Sequence, residues 1–169
     1  TAFKAPTFNE LYYPNYGNPD LDAETSESLE FGLVGEHSWG QWQVNAFRTR
    51  IDDLIAYDSS IQGPANVAEA TIRGVELVLA SQWMGVDWNA NYTLMDPEDS
   101  SGGANDGNEL ARRAKQLFNL DLDRRFGDFS VGASLHAEGQ RYDDLANTTE
   151  LSGYADVDLR GEYRLTEEW

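Results

Sequence analysis

Two sets of side chains in this 169-residue chain have the chemistry to hold a ligand. One is the aromatic run Phe8, Tyr12, Tyr13 and Tyr16, set among Pro14, Asn15, Gly17, Asn18 and Pro19. A tyrosine presents a broad flat contact at little rotamer cost, with a hydroxyl to orient polar groups. Tyr12, Tyr13 and Tyr16 are therefore candidate ligand contacts. Pro-Asn and Asn-Pro pairs also set turns, so an ordered loop packed on its neighbours is the competing reading. The other set is Arg112 and Arg113 ahead of Lys115, the tightest basic cluster in an acidic chain. A guanidinium there could donate several hydrogen bonds to amide or phosphate oxygens of a ligand. A salt bridge to an acid across strands would use it equally well.

The acids point away from catalysis. The run DPEDSSGGANDGNE, residues 96–109, has many carboxylates and could hold calcium weakly, but it lacks the spacing of an EF-hand loop. A mobile, solvated loop is the plainer reading. Asp121 with Asp123, and Asp156 with Asp158, fall two apart on one strand face. Such pairs serve as acid and base in some enzymes, and as wall residues wherever a strand lines a polar interior. His37 and His136 have no nucleophile near them in sequence. No Ser-His-Asp order, Gly-rich phosphate loop, metal motif or cofactor motif occurs, so no enzymatic activity is predicted. A net charge of −18 excludes a nucleic-acid partner. The absence of cysteine excludes disulfides, thiolate zinc sites and cysteine nucleophiles.

The elements that must carry these residues are strands. In Val86–Leu94, Val86, Trp88, Ala90, Tyr92 and Leu94 alternate with Asp87, Asn89, Asn91 and Thr93. Ser28–Glu36, Thr71–Trp83, Leu117–Phe126, Phe129–Glu138 and Ala155–Leu165 alternate in the same way. Period two with one apolar and one strongly polar face is strand patterning. One strand breaks phase: Trp42, Val44 and Ala46 share the apolar face, but Phe47 and Ile51 have the opposite parity. That predicts either a β-bulge or a strand that runs on beyond the apolar belt. Short connections are expected at Gly35–Gln41, Met84–Gly85 and Gly127–Asp128. Long ones are expected at Ala5–Thr25, Asp58–Ala70, Asp96–Lys115 and Asp143–Ser152. Trp39, Trp42, Trp83, Trp88, Phe126 and Phe129 flank the short turns. Short turns at one end, long loops at the other and an aromatic girdle predict an all-β, transmembrane antiparallel β-barrel. No apolar run is long enough for a membrane helix, which does not bear on a barrel. A soluble β-sandwich remains as a rival.

At TAFKAPTFNELYYPNYGNPDLDAETSESLEFGL the chain resembles the TonB-dependent outer-membrane receptors. FRTRIDDLIAYD, NVAEATIRGVEL and ELARRAKQ are similar to further motifs of that family, in the family's order. Within it, LYYPNYGNPDLDAE, RRAKQ and GQRYDD resemble the cobalamin (vitamin B12) receptors, while siderophore receptors share the earlier motifs. The resemblance implies a plugged barrel of about 22 strands, of which residues 1–169 would supply about seven to eight. The plug domain and the C-terminal strands would lie outside this chain. It also implies active transport across the outer membrane of a Gram-negative bacterium, not catalysis. The expected partners are a cobalamin or ferric-siderophore ligand, the TonB complex acting through the plug, and outer-membrane lipid and lipopolysaccharide. In cobalamin receptors the first arginine of the R-R-A-K box is expected to face the ligand, which maps to Arg112. Cobalamin receptors are also expected to carry a ligand-facing aromatic shortly after the GQRYDD strand end, where this chain reads RYDDLANT, with Ala146 or its neighbours in its stead. The chain opens on TAFKAP, as if on the end of a strand, and closes on RLTEEW, where a turn is expected. Taken alone, such a fragment would leave two unpaired sheet edges and fold poorly. A passive porin-like channel is the second alternative within the membrane class.

Overall fold

Alternating polarity becomes one antiparallel ladder. A computed structural model describes residues 1–58 and 61–165. The strands are β1 (Ala2–Lys4), β2 (Glu24–His37), β3 (Gly40–Asp58), β4 (Gly63–Trp83), β5 (Val86–Asp99), β6 (Gln116–Phe126), β7 (Phe129–Glu138), β8 (Arg141–Tyr142), β9 (Glu150–Leu151) and β10 (Tyr154–Tyr163). A five-residue helix, α1 (Phe8–Tyr12), follows β1. Eight strands form one sheet in the order β1-β2-β3-β4-β5-β6-β7-β10, and β8 and β9 pair as a small ribbon. Every neighbour in the large sheet is antiparallel and consecutive along it. The expected turn within RLTEEW lies partly outside the described residues, as do two residues of the connection after Asp58.

Register sorts the side chains by face. Leu33, Val44, Leu77, Tyr92, Phe118, Ala137 and Ala155 align in one lateral row. One residue along, Gly32, Asn45, Glu76, Thr93, Leu117, Glu138 and Tyr154 form the next row, on the opposite face. The first face leaves large apolar groups bare, with Leu29 78% and Leu159 82% exposed. A contiguous exposed apolar band is the surface that hydrocarbon covers. The other face is cross-linked by polar side chains: Asn119 donates to Asn91 at 2.8 Å, and His136 Nδ1 lies 2.6 Å from Asn119 Oδ1.

The short connections are tighter than the alternation suggests. Each is two residues long: Ser38–Trp39, Met84–Gly85 and Gly127–Asp128. Met84 and Gly85 both have positive φ (52° and 74°), the type I′ turn whose twist matches paired strands. Trp39, Trp83, Phe126 and Phe129 stand exposed at this end.

One of the long connections, Asp58–Ala70, is largely strand. β4 alone has 21 residues, whereas about 9–11 suffice to span a bilayer, so the upper halves of β3 and β4 project beyond the belt. The expected loop at Asp58–Ala70 is mostly the end of this hairpin. No bulge forms at Phe47. The β3–β4 ladder keeps one register from Gly40↔Ser81 to Asp52↔Glu69, so Phe47 and Ile51 do face inward. Asp53 then adopts φ 57° and drops out of the pairing, and the same register resumes at Leu54↔Val67. Ile51 and Leu54 are three residues apart, yet both lie in one buried cluster with Val67, Ala70, Ile72, Leu110 and Leu145. The pleat has changed sides at Asp53. This cluster is the hydrophobic core of the described residues, and it sits at the long-loop end.

Candidate ligand-binding site at the long-loop end

The aromatic run is mounted on a clamped helix-turn. Thr7 caps α1 in a capping box: Glu10 N–H donates to Thr7 Oγ1 at 3.3 Å, and Thr7 N–H donates to Glu10 Oε2 at 2.6 Å. Burial favours the neutral acid at Glu10, but the Thr7 hydrogen bonds and Lys4 outweigh it and hold the carboxyl below its ordinary value. Two asparagines then dock the loop on the β3–β4 hairpin. Asn18 Nδ2 donates to the Pro64 carbonyl at 3.1 Å. Asn66 accepts from Asp22 N–H at 2.9 Å and donates to the carbonyls of Asp53 at 2.6 Å and Asp22 at 3.2 Å. Leu21, in the same loop, is buried.

The basic cluster comes from the β5–β6 connection. Leu110, 1% exposed, anchors it in the core, and its N–H donates to the Pro97 carbonyl at 2.9 Å. Arg112 takes a positive φ of 59°. Its N–H donates to the Tyr142 carbonyl at 2.6 Å, its Nε to Asp143 Oδ1 at 2.8 Å, and its guanidinium lies 4.8 Å above the Tyr57 ring. Arg113 is half-buried and makes no hydrogen bond or ion pair among the described residues. Burial pushes its guanidinium below the ordinary value, with Glu24 acting in the opposite direction. Lys115 turns elsewhere, to Glu109 at 2.8 Å and Asp96 at 3.5 Å.

The β7–β10 connection closes the arrangement. Asp144 is buried and accepts from Thr148 N–H at 3.0 Å, Thr148 Oγ1 at 3.1 Å and Thr149 N–H at 2.8 Å. The Thr148 N–H leads in holding its carboxyl below the usual range. Asn147 accepts from Glu109 N–H at 2.8 Å and donates to the Glu109 carbonyl at 2.9 Å, mimicking a strand pair between two loops. Asn108 Nδ2 donates to the Leu145 carbonyl at 3.0 Å. Ala146 is exposed at the tip.

A cavity of about 240 Å³ opens between the aromatic loop, the β3–β4 hairpin and the β5–β6 connection. Tyr16, Arg112 and Arg113 line it together with Tyr57, Leu54 and Glu10. Of the sequence candidates, Tyr16 and Arg112 are thus brought together across nearly a hundred positions. Tyr12 and Tyr13 are each 58% exposed and do not line the cavity. Tyr12 packs on Phe8 at 5.3 Å between ring centroids, and Tyr13 edges onto Tyr16 at 6.5 Å. Sequence reading did not single out Tyr57, Asp143, Asn18 or Asn66 as site-builders. Nothing local marks them, because each acts on a partner more than thirty residues away.

The remaining acids are structural. Asp99 accepts from Ser101 and Asp106 from Gly102 N–H, so both serve the loop backbone. No group of three or more metal-ligating side chains occurs among the described residues. Asp123 takes both oxygens of its carboxylate to Arg160 at 3.0 Å, and Arg160 also reaches Asp121 at 3.6 Å. Gly132 lies between Asp123 and Arg160 in the ladder, and a Cβ there would run into Asp123 Oδ1. The glycine leaves a slot through which the pair forms. These carboxylates are wall residues.

The fold and its two ends define a segment of a transmembrane receptor barrel. Residues 1–169 match the family described as TonB dependent receptor-like, beta-barrel, and the chain belongs to that family. Such a barrel resides in the outer membrane of a Gram-negative bacterium. Among curated relatives, the vitamin B12 transporter BtuB of Photobacterium profundum is 34% identical over 174 residues, covering 99% of this chain and 28% of that protein. The vitamin B12 transporter BtuB of Vibrio vulnificus is 32% identical over 171 residues, covering 99% of this chain and 27% of that protein. This chain therefore spans a little over a quarter of the length of these relatives. Among solved structures, the copper transporter OprC superposes with a TM-score of 0.72 at 22% identity, over 98% of this chain and 28% of that one.

Proposed function

We propose that this chain forms part of the wall and the ligand-capturing loops of a TonB-dependent active transporter for cobalamin. In this reading the long loops face the exterior, and Tyr12, Tyr13, Tyr16 and Arg112 contact the ligand there. A plug outside this chain closes the barrel, and the TonB complex supplies the energy that moves it. The polar inner face, with Asn45, Glu76, Asn91 and Asn119, hydrogen-bonds that plug. Outer-membrane lipid and lipopolysaccharide surround the apolar face. The activity is transport, without a chemical step.

The observation that carries this reading is the convergence of Tyr16 and Arg112 on one cavity, built by loops that hydrogen bonds tie together. The two vitamin B12 transporters aligned with 99% of the chain supply the choice of ligand. A second reading, uptake of a ferric siderophore or other metal chelate, draws on Ala146, which stands exposed where the cobalamin branch is expected to carry an aromatic. A titration of the full receptor with cyanocobalamin and with ferric siderophores separates the two. Saturable cyanocobalamin binding, weakened at least tenfold by Arg112→Ala, is the expected result. Saturable siderophore binding without cobalamin binding would overturn it. Binding of neither, with solute flux that needs no TonB, would mark a passive channel.

A further inference from the structure

The two arginines of the cluster are in different states. Arg112 is committed: Asp143 holds its Nε and the Tyr57 ring lies beneath its guanidinium. Its side chain is 55% exposed, at the mouth of the cavity. Arg113 sits deeper, half-buried on the cavity wall, and has no hydrogen-bond or ion-pair partner among the described residues. The nearest acid by electrostatic influence is Glu24, whose Oε1 is already taken by Lys4 Nζ at 2.9 Å and Ile55 N–H at 2.9 Å. Glu10, the acid on the cavity wall, is engaged by Thr7 and Lys4.

A desolvated cation without a partner is costly, and folds keep one where something else supplies the counter-charge. A guanidinium is also the side chain best shaped to take two oxygens of a phosphate or carboxylate at once. The cavity, about 240 Å³, is smaller than the roughly 300–1,000 Å³ of sites that enclose a whole ligand. It takes a substituent, with the bulk of the ligand left outside against Tyr16 and the exposed aromatics.

We propose that Arg113 is a specificity-determining residue that receives an anionic oxygen group of the ligand inside this cavity, beside Arg112 at its mouth. This rests on the reading of the cavity as the ligand site. If the ligand is cobalamin, the group is the phosphodiester that joins the nucleotide loop to the corrin side chain.

The test uses the full receptor in detergent, with cyanocobalamin and with dicyanocobinamide, which retains the corrin but lacks the nucleotide and its phosphodiester. Wild type is expected to bind cyanocobalamin more tightly than dicyanocobinamide. Arg113→Gln should weaken cyanocobalamin about 10- to 100-fold, as expected for a charge-assisted bidentate contact, and leave dicyanocobinamide within about twofold. Arg113→Lys should recover part of the loss, because it restores charge without the fork. Increasing salt should weaken cyanocobalamin binding in wild type more than in Arg113→Gln. An equal loss for both corrinoids, or no loss for either, overturns the proposal and assigns Arg113 to the wall or the plug. If wild type binds neither corrinoid, the cobalamin reading fails separately. The same variant is then compared on an anionic and a neutral ferric siderophore, and an unchanged preference between them overturns the anion site as well.

Discussion

The lower and upper halves of the sheet obey opposite rules. Toward the short turns, Leu77 and Leu79 point outward and are 45% and 38% exposed, while Glu76 and Asn45 point inward. Toward the long loops, Ile51, Leu54, Val67 and Ile72 are buried inside, and Arg50 and Arg73 stand outside with Glu69 and Asp96. One chain with one register does both. The difference is the medium on the outer face, which is hydrocarbon below and water above. Where water is outside, apolar side chains gather inward as in any soluble domain. Where lipid is outside, they have no reason to. The crossover is marked on the outer face by Arg48 and Arg73, paired directly across β3 and β4 just above Ala46 and Val75.

The contrast can be broken from either side. Leu110→Ala, in the upper core, should cost about 2–5 kcal/mol, read as loss of amide protection in the loops on hydrogen exchange of the full receptor. Leu77→Ala should cost far less, because lipid tails fill the space. Leu77→Arg is different and should cost about 2–4 kcal/mol at mid-belt, measured by reversible unfolding into vesicles. Equal tolerance of Arg at Leu77 and at the inward Glu76 would contradict the assignment of faces.

Asp144→Asn removes the charge from three hydrogen bonds and should destabilise the 143–149 loop by about 1.5–3 kcal/mol, seen as faster exchange at Thr148 and Thr149. The pH dependence has a definite sign. The folded carboxyl is held below its unfolded value, so its contribution is complete above about pH 4 and is lost as pH falls through the lower folded value. Smaller still is Gly132→Ala. It should displace Asp123 from Arg160 and leave the unfolding midpoint of the full receptor almost unmoved, because a solvated ion pair contributes little. Glu76→Gln on the inner face should fall within about 0.5 kcal/mol of wild type.

The belt was the more legible half. In Val86–Leu94 the alternation alone assigns Trp88, Tyr92 and Leu94 to one face, and the ladder agrees. The phase break at Phe47 was also visible, although two outcomes fitted it. The β3–β4 register decides for a strand that continues beyond the belt, with its pleat reversed at Asp53. At the site, residue type pointed to Tyr16 and Arg112 but also to Tyr12 and Tyr13, which stand outside the cavity. Residue type indicates what a side chain can do, and exposure to a shared space decides which of several alike will do it together.

Spacing along the chain was enough to set the strands, their two faces within the belt, and the alternation of short and long connections. Each of these is a local or periodic property, so each is written in the order of residues. Folding was needed to show that Asn18 and Asn66 join the aromatic loop to the β3–β4 hairpin, that Asn108 and Asn147 join the β5–β6 connection to the β7–β10 connection, and that Arg112 is occupied while Arg113 has no hydrogen-bond or ion-pair partner among the described residues. Those outcomes depend on contacts between segments far apart in sequence. A hydrogen bond across forty residues leaves no period to read, and the state of a charge depends on which partners the fold brings within reach.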